Sequence, residues 1–577
     1  MIKNAFNILS VYTFLAFLIT NQSALTLVTA ARINSRDADT NSSDYYTAGV
    51  VEFRSATGAS DGLEDNLAGY LDIINSEEAA STDIIVFPES TLNSNAPTYV
   101  PDPLTNELES PCLTANSSNY SDFLVQLSCA ARTVRKYVVI NLTERAKCVQ
   151  TEEDPRPCAP NGLNIFNTNV VFDREGRVIS RYRKWNLYGE PKNQTAKVEY
   201  GLFGTDFGVV FGHFICFDIL FYEPAQRLVN LGYTDFIFPT MWFSQLPFLT
   251  GVQFQQSWAY ANDINFLAAG SSYPGVGSTG TGIYAGRSGP LVSVMNTGEG
   301  ERRLYVAQVP KKKSYREATR VARQINELAI ELDAKAEHNS QADIFLKRDY
   351  LEQYENVVID LEANVNNSAE YEVCYKTFCC HFELQWHELA HGNASQYYTY
   401  RLGAYEGMRN ENGADGTNAL RNCALFPCTG DDLTTCGRLF PGDVVQEPRI
   451  AFDRIVIEGN FQKGYPSLLM PNSLRDDLMP LGVNEFEWDE FDDWSGTEIV
   501  RHVRYALNTT TSNLLTFAIY GNFFDGEGFI NSSSTLGTST TTLASPNDSD
   551  GGGGGAGALF QPVLMIGILV VLLGVAL

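Results

Sequence analysis

Short apolar runs alternating with helix-patterned segments between residues 45 and 310 restrict this chain more than any other feature. Asp83-Ile84-Ile85-Val86-Phe87-Pro88 is nearly all apolar, so it predicts a strand covered on both sides rather than one side of an antiparallel sheet. Tyr46–Phe53, Tyr137–Leu142, Gly208–Phe217, Asp235–Pro239 and Asn265–Ala269 predict further strands. Asn66–Glu78, Asp122–Lys136, Pro224–Leu231 and Gln253–Asn262 predict the helices between them. Asn169–Phe172 and Arg177–Tyr182 flank Asp173-Arg174-Glu175-Gly176 as a hairpin. The whole is a layered α/β domain over residues 45–310.

The pattern changes further on. Ser314–Lys335 predicts a helix within a connector over residues 311–342. Beyond it come short aromatic and β-branched strands such as Tyr371–Tyr375, Tyr397–Leu402 and Leu515–Tyr520, and six cysteines. A smaller, β-rich, disulfide-stapled domain over residues 343–530 is expected.

Both ends have targeting layouts. Lys3, the apolar stretch Ile8–Ile19 and the small residues up to Ala31 form a signal peptide over residues 1–30. Ten sequons follow that segment, at Asn41, Asn116, Asn119, Asn141, Asn193, Asn366, Asn393, Asn508, Asn531 and Asn547, and fit an exported glycoprotein. Residues 531–550 are a Ser/Thr-rich stalk. Residues 551–577 join a glycine run to an apolar tail with no basic residue after it, the layout of a GPI-attachment signal removed on maturation. The expected location is the extracellular face of the cell membrane, held by that anchor. A net charge of −27 excludes nucleic acid as a partner, since phosphate binding needs clustered Lys and Arg.

An exported chain keeps its cysteines in disulfides, and eleven cysteines cannot all pair. Ten lie outside the strand-rich stretch Val170–Ile283, and Cys216 stands alone inside it, which singles it out as a reactive thiol. For the vicinal Cys379-Cys380, two separate structural bridges are expected. Glu89 and Lys184, like Cys216, fall at predicted strand ends, where the functional groups of open α/β sheets collect. A carboxylate to deprotonate a thiol and an ammonium to stabilise an oxyanion would suit covalent catalysis. Taken singly, each has a bland reading: a loop carboxylate, a surface charge, a small buried hydrophobe. His213, three residues before Cys216, belongs on the opposite face of the strand, so no Cys–His dyad is expected. His387-Glu388-Leu389-Ala390-His391 is a literal H-E-x-x-H, but its lead-in alternates polar and apolar residues as a strand does, whereas a zinc site needs a helix. Trp242 lies just after a strand end, where it would line a pocket or fill the core.

Several stretches together resemble the carbon–nitrogen hydrolase (nitrilase) superfamily, specifically its vanin/biotinidase branch. They are Phe87-Pro88-Glu89-Ser90, Arg183-Lys184-Trp185-Asn186-Leu187-Tyr188-Gly189-Glu190, Phe214-Ile215-Cys216-Phe217-Asp218, Phe238-Pro239-Thr240-Met241-Trp242, and Asn422-Cys423-Ala424-Leu425-Phe426-Pro427-Cys428. The resemblance implies a nitrilase-type α-β-β-α sandwich followed by the β-rich domain, and no cofactor. It implies Glu89 as proton acceptor, Lys184 as proton donor and oxyanion stabiliser, Cys216 as nucleophile and Glu190 as an accessory carboxylate. The backbone N–H of Phe217 would supply part of an oxyanion hole. The implied reaction is hydrolysis of a small linear amide, pantetheine first and a biotin amide second. A zinc peptidase and a catalytically silent adhesion or receptor ectodomain stand as alternatives from other classes. The sequence leaves the oligomeric state open.

Overall fold

The computed structural model describes residues 43–524 apart from 57–61, 105–107, 115–118, 313–343, 363–365, 391, 393–394, 410–417, 443, 463–465 and 495–498. In chain order the first half contains β1 (Tyr45–Phe53), α1 (Gly62–Ile74), β2 (Ile84–Val86), α2 (Asp122–Val134), β3 (Tyr137–Lys147), β4 (Leu163–Phe172) and β5 (Val178–Arg183). It continues with β6 (Gly201–Gly204), β7 (Val210–His213), α3 (Arg227–Asn230), β8 (Asp235–Thr240), β9 (Gln245–Leu246), α4 (Gly251–Asn262) and β10 (Asn265–Gly270). β11 (Thr281–Ala285), β12 (Pro290–Val294) and β13 (Arg302–Pro310) complete it.

These strands form two six-stranded sheets, ordered β13-β1-β2-β3-β4-β5 and β12-β11-β10-β8-β7-β6. β1, β2 and β3 run parallel, as do β7, β8 and β10. Val50, Ile84, Val86 and Val139 meet Phe211, Ile237, Leu267 and Ile283 between the sheets. On the outer face of the first sheet, Val51, Phe53, Ile85 and Val138 pack under Tyr70 of α1 and Leu127 of α2. Strands buried on both faces have no room for polar alternation, which is why their sequences are continuously apolar. Each such Val, Ile or Phe contributes about 1.5–3 kcal/mol on burial. The result is an α-β-β-α sandwich.

The second half contains β14 (Lys347–Arg348), β15 (Glu355–Val358), β16 (Ser368–Tyr375), β17 (Phe378–Glu388), β18 (Thr399–Met408), β19 (Ala419–Cys428) and β20 (Ile450–Gln462). β21 (Ser467–Arg475), β22 (Phe486–Asp493), β23 (Val500–Leu507), β24 (Thr511–Ser512) and β25 (Leu514–Phe523) follow. Its sheets are ordered β15-β18-β19-β25-β21 and β16-β17-β20-β23-β22. Cys380 on β17 is bonded to Cys423 on β19, a staple between the two sheets. The other bridges are Cys112–Cys129, Cys148–Cys158, Cys374–Cys379 and Cys428–Cys436, and Cys216 is the free thiol. Cys379 and Cys380 take different partners, as expected for structural bridges. Five disulfides are the mark of an oxidising, extracellular compartment. No helix among the described residues is long and apolar enough to cross a membrane.

The halves are joined through side chains and main chain. Parallel β14 pairs with β9, Gln253 of α4 donates to Asn472 Oδ1 at 2.8 Å, and Asn522 donates to the Leu220 carbonyl at 2.8 Å.

Several expectations need correction. The strand expected over Gly208–Phe217 stops at His213. Asp218 accepts the Ile215 N–H at 3.1 Å and folds Cys216–Leu220 into a 3₁₀ turn. Complete burial made that turn look like strand. The helix expected over Pro224–Leu231 is largely one wide turn over Tyr222–Gln226 that narrows into the four-residue α3. Among the sequons, Asn141 is 1% exposed, on β3, so the folded protein has no room for a glycan there. Asn119, Asn193, Asn366 and Asn508 are exposed. The expected signal peptide, connector helix, stalk and GPI signal, and the sequons at Asn41, Asn116, Asn393, Asn531 and Asn547, lie outside the described residues. His387 and Glu388 lie on β17 as expected, with His387 paired to Asp453 at 2.8 Å.

Candidate active site

Glu89, Lys184 and Cys216 come from three different strand ends and converge beneath one pocket. Glu89 follows β2 and is 3% exposed. Its Oε1 accepts from Lys184 Nζ and from Asn167 Nδ2, each at 2.8 Å. Its Oε2 accepts the Met241 main-chain N–H at 2.8 Å. These three hydrogen bonds hold the carboxylate in one orientation. Lys184 follows β5, and Glu190 Oε1 lies on its ammonium at 2.7 Å. Glu190 Oε2 accepts a second bond from Asn167 at 2.8 Å. One lysine is thereby held between two carboxylates, with Asn167 bridging them.

Cys216 opens the 3₁₀ turn with φ of 47°, a left-handed conformation that non-glycine residues adopt rarely and often at functional sites. Asp218 fixes that turn. Its carboxylate accepts from Tyr182 Oη at 2.7 Å, from the Asn186 N–H at 2.8 Å and from Asn186 Nδ2 at 2.9 Å. The Cys216 thiol donates to the Met241 carbonyl at 3.6 Å. The Met241 main chain therefore touches the thiol with its C=O and Glu89 with its N–H.

Charge at the site is set by burial against pairing. Burial pushes the Glu89 carboxyl up, but the Lys184 charge and the bonds from Lys184, Asn167 and Met241 outweigh it and hold Glu89 below the usual carboxylate range. Burial pushes Lys184 down, yet Glu89, Cys216 and Glu190 raise it above the ordinary amine value. The Cys216 thiol is pushed up, chiefly by burial and then by Glu89, against the opposing charge of Lys184. The resting site is a neutral thiol beside an ionised base and a fixed ammonium. Burial also lifts Asp218 to about 6.

His213 is buried, and its Nε2 meets Ser180 Oγ at 2.7 Å. Burial lowers it to about 3, which makes it a neutral packing residue on the far side of the strand.

A pocket opens over Cys216. Tyr188, Phe217, Leu220, Trp242, Phe243 and Leu249 give it an apolar wall, and Gln245 and Arg409 are its polar lining. Trp242 does both things expected of it: it lines the pocket, while stacking on Phe254 and donating to the Leu249 carbonyl.

Sequence reading missed the asparagines. Asn141 on β3 faces Asn169 on β4 directly across the ladder. Its amide donates to Asn167 at 2.7 Å and to Asn169 at 3.1 Å, and its Oδ1 accepts the Ser90 N–H at 2.9 Å. The signal was present in Asn167-Thr168-Asn169, whose two asparagines share a strand face with the apolar Leu163, Ile165 and Val171.

Residues 57–266 match the Carbon-nitrogen hydrolase family model, and residues 344–527 match the Vanin C-terminal domain. Vanin-like protein 1 of Drosophila melanogaster is 52% identical over 85% of this chain and 88% of its own length. Human Pantetheinase is 30% identical over 85% of this chain and 92% of its own. Biotinidase of Takifugu rubripes is 33% identical over 67% and 76%. The chain belongs to the vanin-like proteins of the carbon–nitrogen hydrolase family.

Proposed function

We propose that this protein hydrolyses pantetheine to pantothenate and cysteamine at the extracellular face of the membrane, through a thioester on Cys216. The observation that carries the reading is the free thiol of Cys216 beside the Glu89–Lys184 pair, in a chain whose other cysteines are bridged. Similarity to human Pantetheinase over most of both chains supports the choice of substrate. Similarity to a Biotinidase makes a biotin amide the second reading.

In this mechanism Glu89 takes the thiol proton as Sγ attacks the amide carbonyl carbon. The carbonyl oxygen becomes an oxyanion held by Lys184 Nζ and the Phe217 N–H. The first N–H groups of a helical turn have no partner within it, which leaves the Phe217 donor available to substrate. Collapse breaks the C–N bond, and Glu89 returns the proton to the departing amine. Glu89 then deprotonates a water that attacks the thioester, releasing the acid and restoring the thiol. Glu190 holds Lys184 from its other side. Anchoring would follow GPI attachment near residue 550, and release of activity from membranes by a phosphatidylinositol-specific phospholipase tests it.

The deciding experiment incubates the purified ectodomain and Cys216→Ala with pantetheine and with a biotinyl amide. Cysteamine release by the native protein alone is expected. Turnover of neither substrate above the variant rejects the proposed activity and favours a silent ectodomain; equal turnover by the variant rejects the mechanism.

A further inference from the structure

Thr240 ends β8 directly before Met241, whose main chain contacts both Glu89 and the Cys216 thiol. It is fully buried, and its carbonyl accepts the Ser271 N–H at 3.0 Å. Side chains alternate along a strand. Thr240 therefore shares a face with Phe236 and Phe238, which pack in one cluster with Cys216, while Ile237 turns towards the other sheet. The Thr240 hydroxyl makes no hydrogen bond of ordinary geometry among the described residues. Burying a hydroxyl without one costs stability. Packing alone would be served as well by valine, which has nearly the same shape.

Burial and then the Glu89 charge push the Cys216 thiol up; the Lys184 charge and, after it, the Thr240 hydroxyl pull it the other way. Hydroxyl and sulfur are neighbours. A neutral thiol is a weak acceptor, and this one directs its proton to the Met241 carbonyl at 3.6 Å, so the resting site leaves the Thr240 donor unused. A thiolate accepts far more strongly. Lys184 has other charges to meet, since its ammonium lies between Glu89 and Glu190 and also faces the oxyanion of the reaction.

Resting on the assignment of Cys216 as nucleophile, we propose that Thr240 is a further catalytic residue, whose Oγ1–H donates to Sγ whenever the sulfur carries negative charge. That occurs twice in each turnover. After Glu89 takes the thiol proton, Thr240 donates to the thiolate until the S–C bond forms. After water has added to the thioester and the S–C bond breaks, Thr240 donates to the departing sulfur until Glu89 returns the proton. Thr240 keeps its own proton throughout.

The test compares the purified native protein with Thr240→Val, which keeps the side-chain shape, and Thr240→Ser, which keeps the hydroxyl. Pantetheine turnover is measured beside alkylation of Cys216 by iodoacetamide at one pH, a reaction of the thiolate that needs no substrate. Thr240→Val should lower kcat/KM about ten-fold or more, the effect of one hydrogen bond to a charged group. Its alkylation should slow about three-fold, a smaller effect because a thiolate that loses a donor is a better nucleophile. Its melting temperature should equal or exceed the native one, because no resting hydrogen bond is lost. Thr240→Ser should recover most of both rates. Should Thr240→Val not fold, Thr240→Ala against Thr240→Ser decides in the same way. Native turnover or native alkylation in the valine variant overturns the proposal, as does a lower melting temperature or a serine variant as slow as the valine one. If the native protein cleaves neither pantetheine nor a biotinyl amide, the amidohydrolase reading falls, while the alkylation rates still decide the role of Thr240.

Discussion

Asn141 donates its side-chain amide to Asn167 at 2.7 Å, and Asn167 passes two donors on, one to Glu89 and one to Glu190. The first of these asparagines sits in a sequon, yet its side chain is an internal strut. It orients the residue that orients both carboxylates, and through the Ser90 N–H it also holds the chain leaving Glu89. Mapping after enzymatic deglycosylation should find Asn141 unmodified. Asn141→Ala should lower stability by about 1–3 kcal/mol, because it leaves buried donors and acceptors unmatched. It should also reduce kcat by misaligning Glu89. A glycan at Asn141 in active protein would contradict this.

The acid side of the rate profile reports Glu89. Its carboxyl is held below the usual range chiefly because Lys184 outweighs burial, so the acid limb of kcat/KM should fall below the value of an ordinary glutamate, about 4.3. The linkage has the same sign: a depressed carboxyl stabilises the fold above its unfolded value and loses that contribution as pH falls through the folded one. Lys184→Met removes the main opposing charge and leaves burial, so Glu89 should titrate higher. Activity should fall about 10²–10³-fold, as for loss of an oxyanion partner. An acid limb that lies above the ordinary glutamate value in the native enzyme would exclude this assignment.

Glu52 titrates in the opposite sense. It lies buried on β1, accepting from Ser272 at 2.9 Å and from Thr279 at 2.6 Å. Burial raises it to about 7 against those bonds. A carboxyl raised on folding stabilises the native state fully below its unfolded value, and that contribution is lost as pH rises through the folded one. Thermal melts of the native protein should therefore carry a component that weakens between about pH 5 and pH 7.5, and Glu52→Gln should flatten it. An unchanged slope in the variant would exclude Glu52 as its source.

The H-E-x-x-H stretch provides a negative control. His387 and Asp453 form a half-exposed pair, worth at most about 1 kcal/mol. His387→Ala should leave hydrolysis unaltered and stability nearly so. Prolonged chelation should be equally silent. Activity lost to a chelator and restored by zinc would place the chemistry elsewhere.

Thiol titration reads the resting site directly. Native protein should yield a single reactive sulfhydryl, slowly, because Cys216 is 6% exposed and its thiol is held neutral by burial. Alkylation should abolish hydrolysis in step with modification. Cys216→Ala should react only after reduction of the disulfides.

What the sequence determined by itself was whatever depends on local pattern or on counting. Short β-branched apolar runs such as Ile84-Ile85-Val86 read as strands covered on both faces, and eleven cysteines leave one thiol over. The strand through His387 was legible from alternation, and Glu89, Lys184 and Cys216 from their flanking residues. Tertiary structure decided what depends on groups distant in the chain. The turn at Cys216 exists because Asp218 is held by Tyr182 and Asn186, and no local pattern encodes those partners. Asn141 is a strut rather than a glycan site because β3 and β4 bury it between them. Arg409 lines the pocket because β9, β14 and β18 converge there, a long-range arrangement that spacing in one chain does not record. Periodicity reports which face of an element is covered; only packing decides which side chain covers it.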